Sequence, residues 1–209
     1  LAFGAVFDGL GAARALENAA ELHALTGGAP LCMRLVLGLL RDAPWREIAV
    51  LLRDFASSQG VADVDKVTAM AIETLAIAQP HVGVLLDRLV TARGGASYAA
   101  VRDLFWPPSA GGATLDATLA ELVARGILDH DDYRGRYVIH PVVRRYLEEN
   151  AVLLGEDWER RHARYYLGAA TRYLELPLER WSEVDMEWGN IFKAADWCQQ
   201  RIEIGRAHV

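Results

Sequence analysis

The sequence of 209 residues is poor in cysteine, in lysine and in long apolar runs. Its two cysteines, Cys32 and Cys198, lie far apart in largely apolar helical patterns, which is typical of buried free thiols in a reducing compartment. We therefore expect a cytoplasmic protein. Lysine occurs only at Lys66 and Lys193, against many arginines, which indicates the coding bias of a GC-rich bacterial source. The longest apolar stretch, residues 31–40, contains an arginine and is too short to cross a bilayer, so no membrane segment is predicted.

The composition is that of a folded globular protein, with 52% hydrophobic and 24% charged residues. A net charge of −6 provides no general attraction to nucleic acid or to anionic membranes. Because the chain begins with Leu1 rather than methionine, we expect a larger protein that has been cut upstream. Residues 203–209 resemble a translated sequencing adapter and support no functional argument.

Helical spacing and helix-breaking residues predict a mainly α-helical fold in three parts. Residues 1–62 are predicted to form a helical lid subdomain, in which Leu51 and Phe55 face inward. Residues 63–152 are predicted to form a winged-helix domain, with three helices, a small β-hairpin around a polar turn, and a closing helix. Residues 153–202 are predicted to begin a helical region that resembles tetratricopeptide repeats (TPR-like).

Aromatic side chains at helical spacing mark this last region. We expect Trp188, Phe192 and Trp197 to belong to the core rather than to a ligand cage, because bulky rings at helical spacing are more often buried. Trp181 follows a Leu-Pro-Leu break and marks the place where a further helical repeat would stack.

No catalytic or metal-binding set is found in the sequence. It contains no phosphate loop, no His-Glu-x-x-His motif and no nucleophile elbow, so we expect that the chain is not an enzyme. The acidic run from Asp129 to Asp132 is better explained as a solvated turn than as a metal site. His81, His130 and His162 have no identifiable partner, and each is expected to be exposed or half-buried.

The third helix of a winged domain often enters the major groove of DNA, where its contacts need Arg, Lys, Asn or Gln. In this helix the charged residues are Asp116, Glu121 and Arg125, and the hairpin adds three aspartates against Arg134 and Arg136. Acidic side chains repel phosphates, so we expect no DNA binding through this winged helix.

Two short motifs carry a resemblance to a known family. The stretch 25–35, with Gly28 and Pro30, resembles the Gly-Leu-Pro-Leu segment of the NB-ARC nucleotide-switch proteins, also called STAND ATPases. The stretch 137–146 resembles the segment that carries their Met-His-Asp motif, in the His-Pro form typical of bacterial members, with Pro141 in place of the aspartate. In that family an ATPase core precedes a small helical domain, a winged helix and helical repeats, and the last three are predicted here in that order.

The resemblance implies binding of ADP and ATP, mainly by an ATPase core outside this sequence that would also hold Mg²⁺. This chain would contribute Gly28, Pro30 near the base, and His140, which would touch the β-phosphate of ADP and hold a closed, inactive state. The chain would then be a non-catalytic regulatory fragment of a signalling or transcription regulator. Its nucleotide would be held by the upstream core, and its protein partners would bind to the C-terminal helical repeats.

Other interpretations stay open at this point. The chain could be a free-standing winged-helix transcription regulator that binds DNA, or a helical scaffold for protein interactions that uses no nucleotide. In both cases His140 would simply be packed at the junction between the hairpin and the closing helix, with no ligand.

Overall fold

A computed structural model describes residues 18–55, 63–150, 152 and 154–207, with side chains as far as residue 201. The predicted fold, mainly α-helical with a small antiparallel sheet, is confirmed. The predicted helix before residue 18 and the predicted end of a helix at residues 57–60 lie outside the described residues.

The part of the chain that the sequence predicts as a lid contains three short helices joined by glycine and proline breaks, and we call them the lid helices. Their bounds are α1 (Ala19–Thr26), α2 (Pro30–Leu39) and α3 (Trp45–Asp54). Gly27 ends α1 in the left-handed conformation (φ 60°), Pro30 occupies the first turn of α2, and Pro44 directly precedes α3. Leu51 is 41% exposed, so the predicted inward orientation is wrong for this residue, whereas Phe55 is half-buried.

The part predicted as a winged-helix domain begins with a helix of 15 residues and ends with one of 9 residues. Its helices are α4 (Val64–Ala78), α5 (Pro80–Leu89), α6 (Tyr98–Ala100), α7 (Leu115–Ala124) and α8 (Pro141–Glu149). A π-helical turn, Val101–Phe105, extends α6, and a 3₁₀ turn, Pro108–Ala110, follows it. Side-chain oxygens of Asp63, Ser97 and Thr114 accept hydrogen bonds from the first backbone N–H groups of α4, α6 and α7, which explains where these helices start.

The sheet has three antiparallel strands in the order β1-β3-β2. These are β1 (Ala96–Ser97), β2 (Leu128–Asp131) and β3 (Arg136–Ile139), and β3 pairs Tyr137 with Ala96 on one side and with His130 on the other. The sequence predicts only the hairpin of β2 and β3. The third strand contributes two residues, too few for an alternating pattern to show.

The helical pair completes the described chain. It consists of α9 (Gly155–Tyr173) and α10 (Ser182–Ala207), with Pro177 and a 3₁₀ turn, Leu178–Arg180, between them. The backbone of α10 continues beyond residue 202, where the sequence places the end of the helical region.

One hydrophobic cluster extends from Leu22 in the lid helices to Ala194 in α10. Its fully enclosed members include Leu52, Phe105 and Tyr166, which represent the lid helices, the winged helix and the helical pair in turn. The three predicted parts therefore share continuous apolar packing, while the predicted boundaries at residues 62 and 152 stay predictions.

Arg125 at the end of α7 joins the winged helix to the lid helices. Its guanidinium donates to the Gly38 carbonyl and to the Asp42 carboxylate, both at 2.8 Å, and to Glu121 on its own helix. A Cβ on Gly38 would lie 3.0 Å from the Arg125 side chain, so a glycine allows this approach. Burial opposes the charge on Arg125, but Asp42 and Glu121 outweigh it and raise the pKa of the guanidinium.

Arg136 of β3 joins the winged helix to the helical pair in the same way. Its side chain is 5% exposed and donates to both carboxylate oxygens of Glu187 on α10, at 2.7 and 3.2 Å. It also donates to the Gly95 carbonyl at 2.7 Å, which Asn190 of α10 contacts as well. A buried arginine with this many partners is satisfied, but only while α10 stays docked.

We expect Glu187→Ala to destabilise the chain by about 3–5 kcal/mol, because it leaves the Arg136 guanidinium buried without a carboxylate. Urea unfolding measures the change. Arg136→Met combined with Glu187→Leu should recover more than half of the loss, since a well-packed apolar pair needs no partner. The matched control is Glu183→Ala, which removes an exposed ion pair with Arg180 and should leave the midpoint almost unchanged. Equal losses from Glu187→Ala and Glu183→Ala would contradict this account.

Candidate functional site

The break between α1 and α2 presents a glycine pair and an exposed proline. Gly28 has a φ of 70° and its N–H donates to the His23 carbonyl at 3.0 Å. A Cβ at this position would lie 2.7 Å from Nε2 of His23, so both the backbone conformation and the space favour glycine. Pro30 is exposed at the start of α2, where its missing N–H costs no hydrogen bond.

His140 is half-buried at the junction of β3 and α8, where it caps the helix. Its ring Nδ1 accepts a hydrogen bond from the Val142 N–H at 3.3 Å, and its backbone N–H donates to the Ile127 carbonyl at 3.1 Å. A neutral imidazole that accepts at Nδ1 carries its proton on Nε2. Among the described residues this Nε2–H has no hydrogen-bond partner, so it is a donor available at a helix N-terminus. Pro141 presets the first helical turn, and the histidine supplies the cap.

The segment 123–129 connects the two predicted motifs. Arg34, one turn beyond Pro30, donates to the Val123 carbonyl at 2.9 Å and lies 3.8 Å from the Asp129 carboxylate. A Cβ on Gly126 would lie 2.9 Å from the Arg34 guanidinium, so this glycine makes room for it. The same segment holds His140 through Ile127. In the described part of the chain no hydrogen bond joins His140 to Gly28 or Pro30.

The surface that a winged helix usually presents to DNA is acidic here. The exposed residues of α7 include Asp116, Ala117 and Ala120, while its arginine, Arg125, is buried. Asp116 also borders a groove of about 400 Å³ that α7 forms with the hairpin. On the hairpin, Arg134 lies 3.8 Å from the Asp131 carboxylate. Among the described residues, the exposed side chains of α7 and the hairpin therefore carry no excess of positive charge.

A row of three buried polar side chains lies on α9, at Trp158, His162 and Tyr166. Trp158 Nε1, His162 Nε2 and the Tyr166 hydroxyl have no hydrogen-bond partner in the described part of the chain. The His162 and Tyr166 ring centroids are 4.7 Å apart, and Phe105 packs on Trp158 at 5.7 Å. The predicted exposure holds for His81 and His130, but it is wrong for His162, which is 1% exposed.

The surroundings of His162 disfavour its charged form. Burial, and to a smaller extent the positive charges of Lys193 and Arg93, together lower its pKa to about 3. Burial likewise lowers the pKa of Lys193, which lies 3.7 Å from the Glu159 carboxylate. Burial raises the pKa of Tyr166. The helical pair is therefore docked with His162 neutral.

The sequence pattern does not predict the contacts of two arginines, Arg34 and Arg136. Arg34 lies within the first motif but shows its contact with the winged helix only in the structure. Arg136 looks like a surface charge of the hairpin in the sequence, although it is 4% exposed. Arg136 lies three residues before the buried Ile139 and so on the opposite face of the strand, where alternation predicts exposure rather than burial.

Within the residues that the structure describes, no group of three or more His, Cys, Asp or Glu side chains is arranged to hold a metal ion. No described helix is long and apolar enough to span a membrane.

No family model matches this chain, and no curated protein or solved structure is significantly similar to it. The resemblance to nucleotide-switch proteins consequently depends on the two motifs and the order of the parts.

We expect acid to destabilise the chain through His162. Because the pKa of His162 is lower in the folded chain than in the unfolded chain, its contribution is complete above about pH 6.5 and is lost as the pH falls toward 3. Between pH 7 and pH 5 this amounts to about 2 kcal/mol. Urea unfolding at both pH values should show that His162→Phe loses about that much less than wild type. His130→Gln, on the exposed hairpin, should keep the full loss, and equal losses in all three proteins would refute the assignment.

Proposed function

We propose that this chain is a non-catalytic regulatory segment of an ATP/ADP-switched regulator of the STAND type, in which the winged helix closes over bound ADP. The single observation that carries the proposal is His140, a half-buried cap of α8 whose Nε2–H has no hydrogen-bond partner among the described residues. A ring N–H donor at the positive end of the α8 dipole suits the terminal phosphate of a nucleoside diphosphate. In this proposal Gly28 and Pro30 face the nucleotide from the lid helices, and the ATPase core with its Mg²⁺ belongs to another part of the protein.

The contacts of α8 support a route from that phosphate to the helical pair. Arg144, one turn beyond His140, donates to the carbonyls of Val90 at 2.8 Å and Ala92 at 3.0 Å. The same turn continues to Gly95, whose carbonyl Arg136 and Asn190 contact. A shift of α8 would therefore disturb the attachment of α10. A phosphate contact of about 1–3 kcal/mol is large enough to bias such an equilibrium.

The chain itself would perform no hydrolysis, since the sequence lacks the phosphate-loop lysine, its neighbouring hydroxyl and an acidic Mg²⁺ partner in that context. The free cysteines, Cys32 buried and Cys198 half-buried, favour a cytoplasmic location.

We expect His140→Asp to accelerate ADP release about tenfold or more, measured in the protein that carries this chain together with its ATPase core. Aspartate keeps an acceptor for the cap, so the melting temperature should stay close to wild type, but it removes the donor and repels phosphate. His130→Asp is the control for a histidine remote from the junction. Unchanged ADP retention in His140→Asp would remove the histidine from the mechanism, and an upstream reading frame without a phosphate loop would contradict the wider proposal.

A free-standing DNA-binding regulator is the principal alternative, and the acidic surface of α7 argues against it. We expect no change in the fluorescence anisotropy of a labelled 20-base-pair duplex up to about 10 µM protein at low salt, a range in which winged helices with basic faces bind. Ala117→Lys with Ala120→Lys adds positive charge to the exposed face of α7 and should introduce salt-sensitive binding. Submicromolar binding by the wild-type chain would favour the DNA-binding alternative.

A further inference from the structure

The outer surface of the helical pair is strongly apolar. Leu174 is 85% exposed, Leu178 75%, Trp181 53%, Trp188 52% and Phe192 48%. The prediction that Trp188 and Phe192 are core residues is therefore wrong for the described chain. A patch of this kind, with large rings held in place, is more than the scattered exposure of an ordinary surface.

Three of these side chains, Leu174, Trp181 and Trp188, line a groove of about 280 Å³ between the end of α9 and the start of α10, and Phe192 packs against Trp188 beside it. We call it the aromatic groove, and it is lined by Tyr173, Leu174, Trp181, Val184, Trp188 and Ile191. The Trp188 and Phe192 rings meet edge to face at 4.6 Å, which holds both in defined positions. Trp181 Nε1 donates to the Leu176 carbonyl at 3.4 Å, so its ring is available for apolar contact while its polar end is satisfied.

The opposite face of α10 is already occupied. Glu187 and Asn190 are buried against the winged helix, together with Ala194. Residues 188 and 192 lie on the other side of the helix, so the contact that places α10 on the winged helix leaves the aromatic groove facing away from it. The groove therefore has the position of a second interface.

Exposed acidic side chains outnumber basic ones in the segments that form the aromatic groove, where Arg172 is exposed and Arg180 is paired with Glu183. Glu175 and Glu179 directly follow the exposed Leu174 and Leu178, and Asp196 continues the line of Trp188 and Phe192 along α10. All three are exposed, and none forms an ion pair within the described residues. Carboxylates around an apolar centre favour a partner with positive charges around its own apolar stripe. They disfavour a second copy of this chain, whose net charge is −6.

We propose that the aromatic groove binds an amphipathic helix of a partner protein, with an apolar stripe that inserts between α9 and α10 and with Lys or Arg on both sides of that stripe. A helix laid along two helices offers apolar anchors at i, i+3, i+4 and i+7, which matches a groove bordered by two helices. The proposal does not depend on His140 or on nucleotide.

The test uses three labelled 18-residue peptides and the full chain. The first has a leucine stripe flanked by lysines, the second has the same stripe flanked by glutamates, and the third has the composition of the first in scrambled order. We expect the lysine peptide to bind with a Kd below about 100 µM and at least tenfold more tightly than either of the others, as measured by fluorescence anisotropy. No binding of the lysine peptide at 1 mM, or equal binding of all three, would overturn the proposal.

Variants locate the binding. Trp188→Ser with Phe192→Ser should weaken the lysine peptide at least tenfold, while Tyr133→Ser, which removes a 96% exposed ring on the hairpin, should leave it unchanged. Glu179→Lys with Asp196→Lys should weaken it several-fold and reduce its salt dependence. Equal affinity in wild type and Trp188→Ser with Phe192→Ser would overturn the proposal.

Two further outcomes identify a different occupant. A wild-type dimer that becomes a monomer in Trp188→Ser with Phe192→Ser, detected by light scattering, would show that a second copy fills the groove. A groove covered by the chain itself would leave the double variant unchanged in acrylamide quenching of tryptophan, relative to wild type. Either result would overturn binding of a partner helix, and a monomer with strongly quenched groove tryptophans is the expected result.

Discussion

The buried guanidinium of Arg136 is the group on which the attachment of the helical pair to the winged helix depends. A charge that is removed from water must have partners on every side, and here they come from separate elements: Glu187 on α10 and the carbonyls of the Gly94–Gly95 turn. The turn accommodates this because both glycines have positive φ values, and a Cβ on Gly95 would lie 2.5 Å from the Tyr137 carbonyl oxygen. The arginine, the carboxylate and the glycine pair therefore form one unit.

A buried arginine joins the winged helix to its neighbour on each side, but the buried polar groups on the two sides differ in how many of them have hydrogen-bond partners. Arg125 is matched by two carboxylates and a carbonyl on the lid-helix side. On the side of the helical pair, the well-paired Arg136 lies in the same interface as the unpartnered polar atoms of His162 and Tyr166. Each buried polar group without a partner costs about 1–3 kcal/mol, and among the described residues this cost falls on the side of the helical pair.

The sequence predicts where helices start and stop better than which way they face. Pro30, Pro44 and Ser97 mark helix starts because their chemistry acts on the local backbone, and the structure confirms those positions. Orientation depends on distant residues, and α10 illustrates the limit. It carries an aromatic line through Trp188 and a polar line through Asn190, and periodicity favours burial of the aromatic one, whereas the structure buries the polar one. The partner for Asn190 is the Arg93 N–H, 97 residues away, which no local pattern contains.

The candidate site shows the same difference between local features and distant contacts. His140 at a helix start could be predicted from the sequence, because the turn, the proline and the following apolar spacing are all local. The tautomer of His140 could not be predicted, because it follows from the contact of Nδ1 with Val142. The attachment of both Arg34 and His140 to the segment 123–129 could not be predicted either, because it joins distant parts of the chain.

The inward face of α10 carries a series of unlike polar groups. Three polar side chains follow each other on this face at intervals of three residues. Glu187 accepts from Arg136, Asn190 accepts from the Arg93 N–H, and Lys193 donates to the Thr91 carbonyl. An apolar helix face tolerates sliding by a turn, but a series of unlike polar groups does not, because every displaced group would meet the wrong partner. The polar contacts of α10 therefore fix both its rotation about the helix axis and its position along that axis.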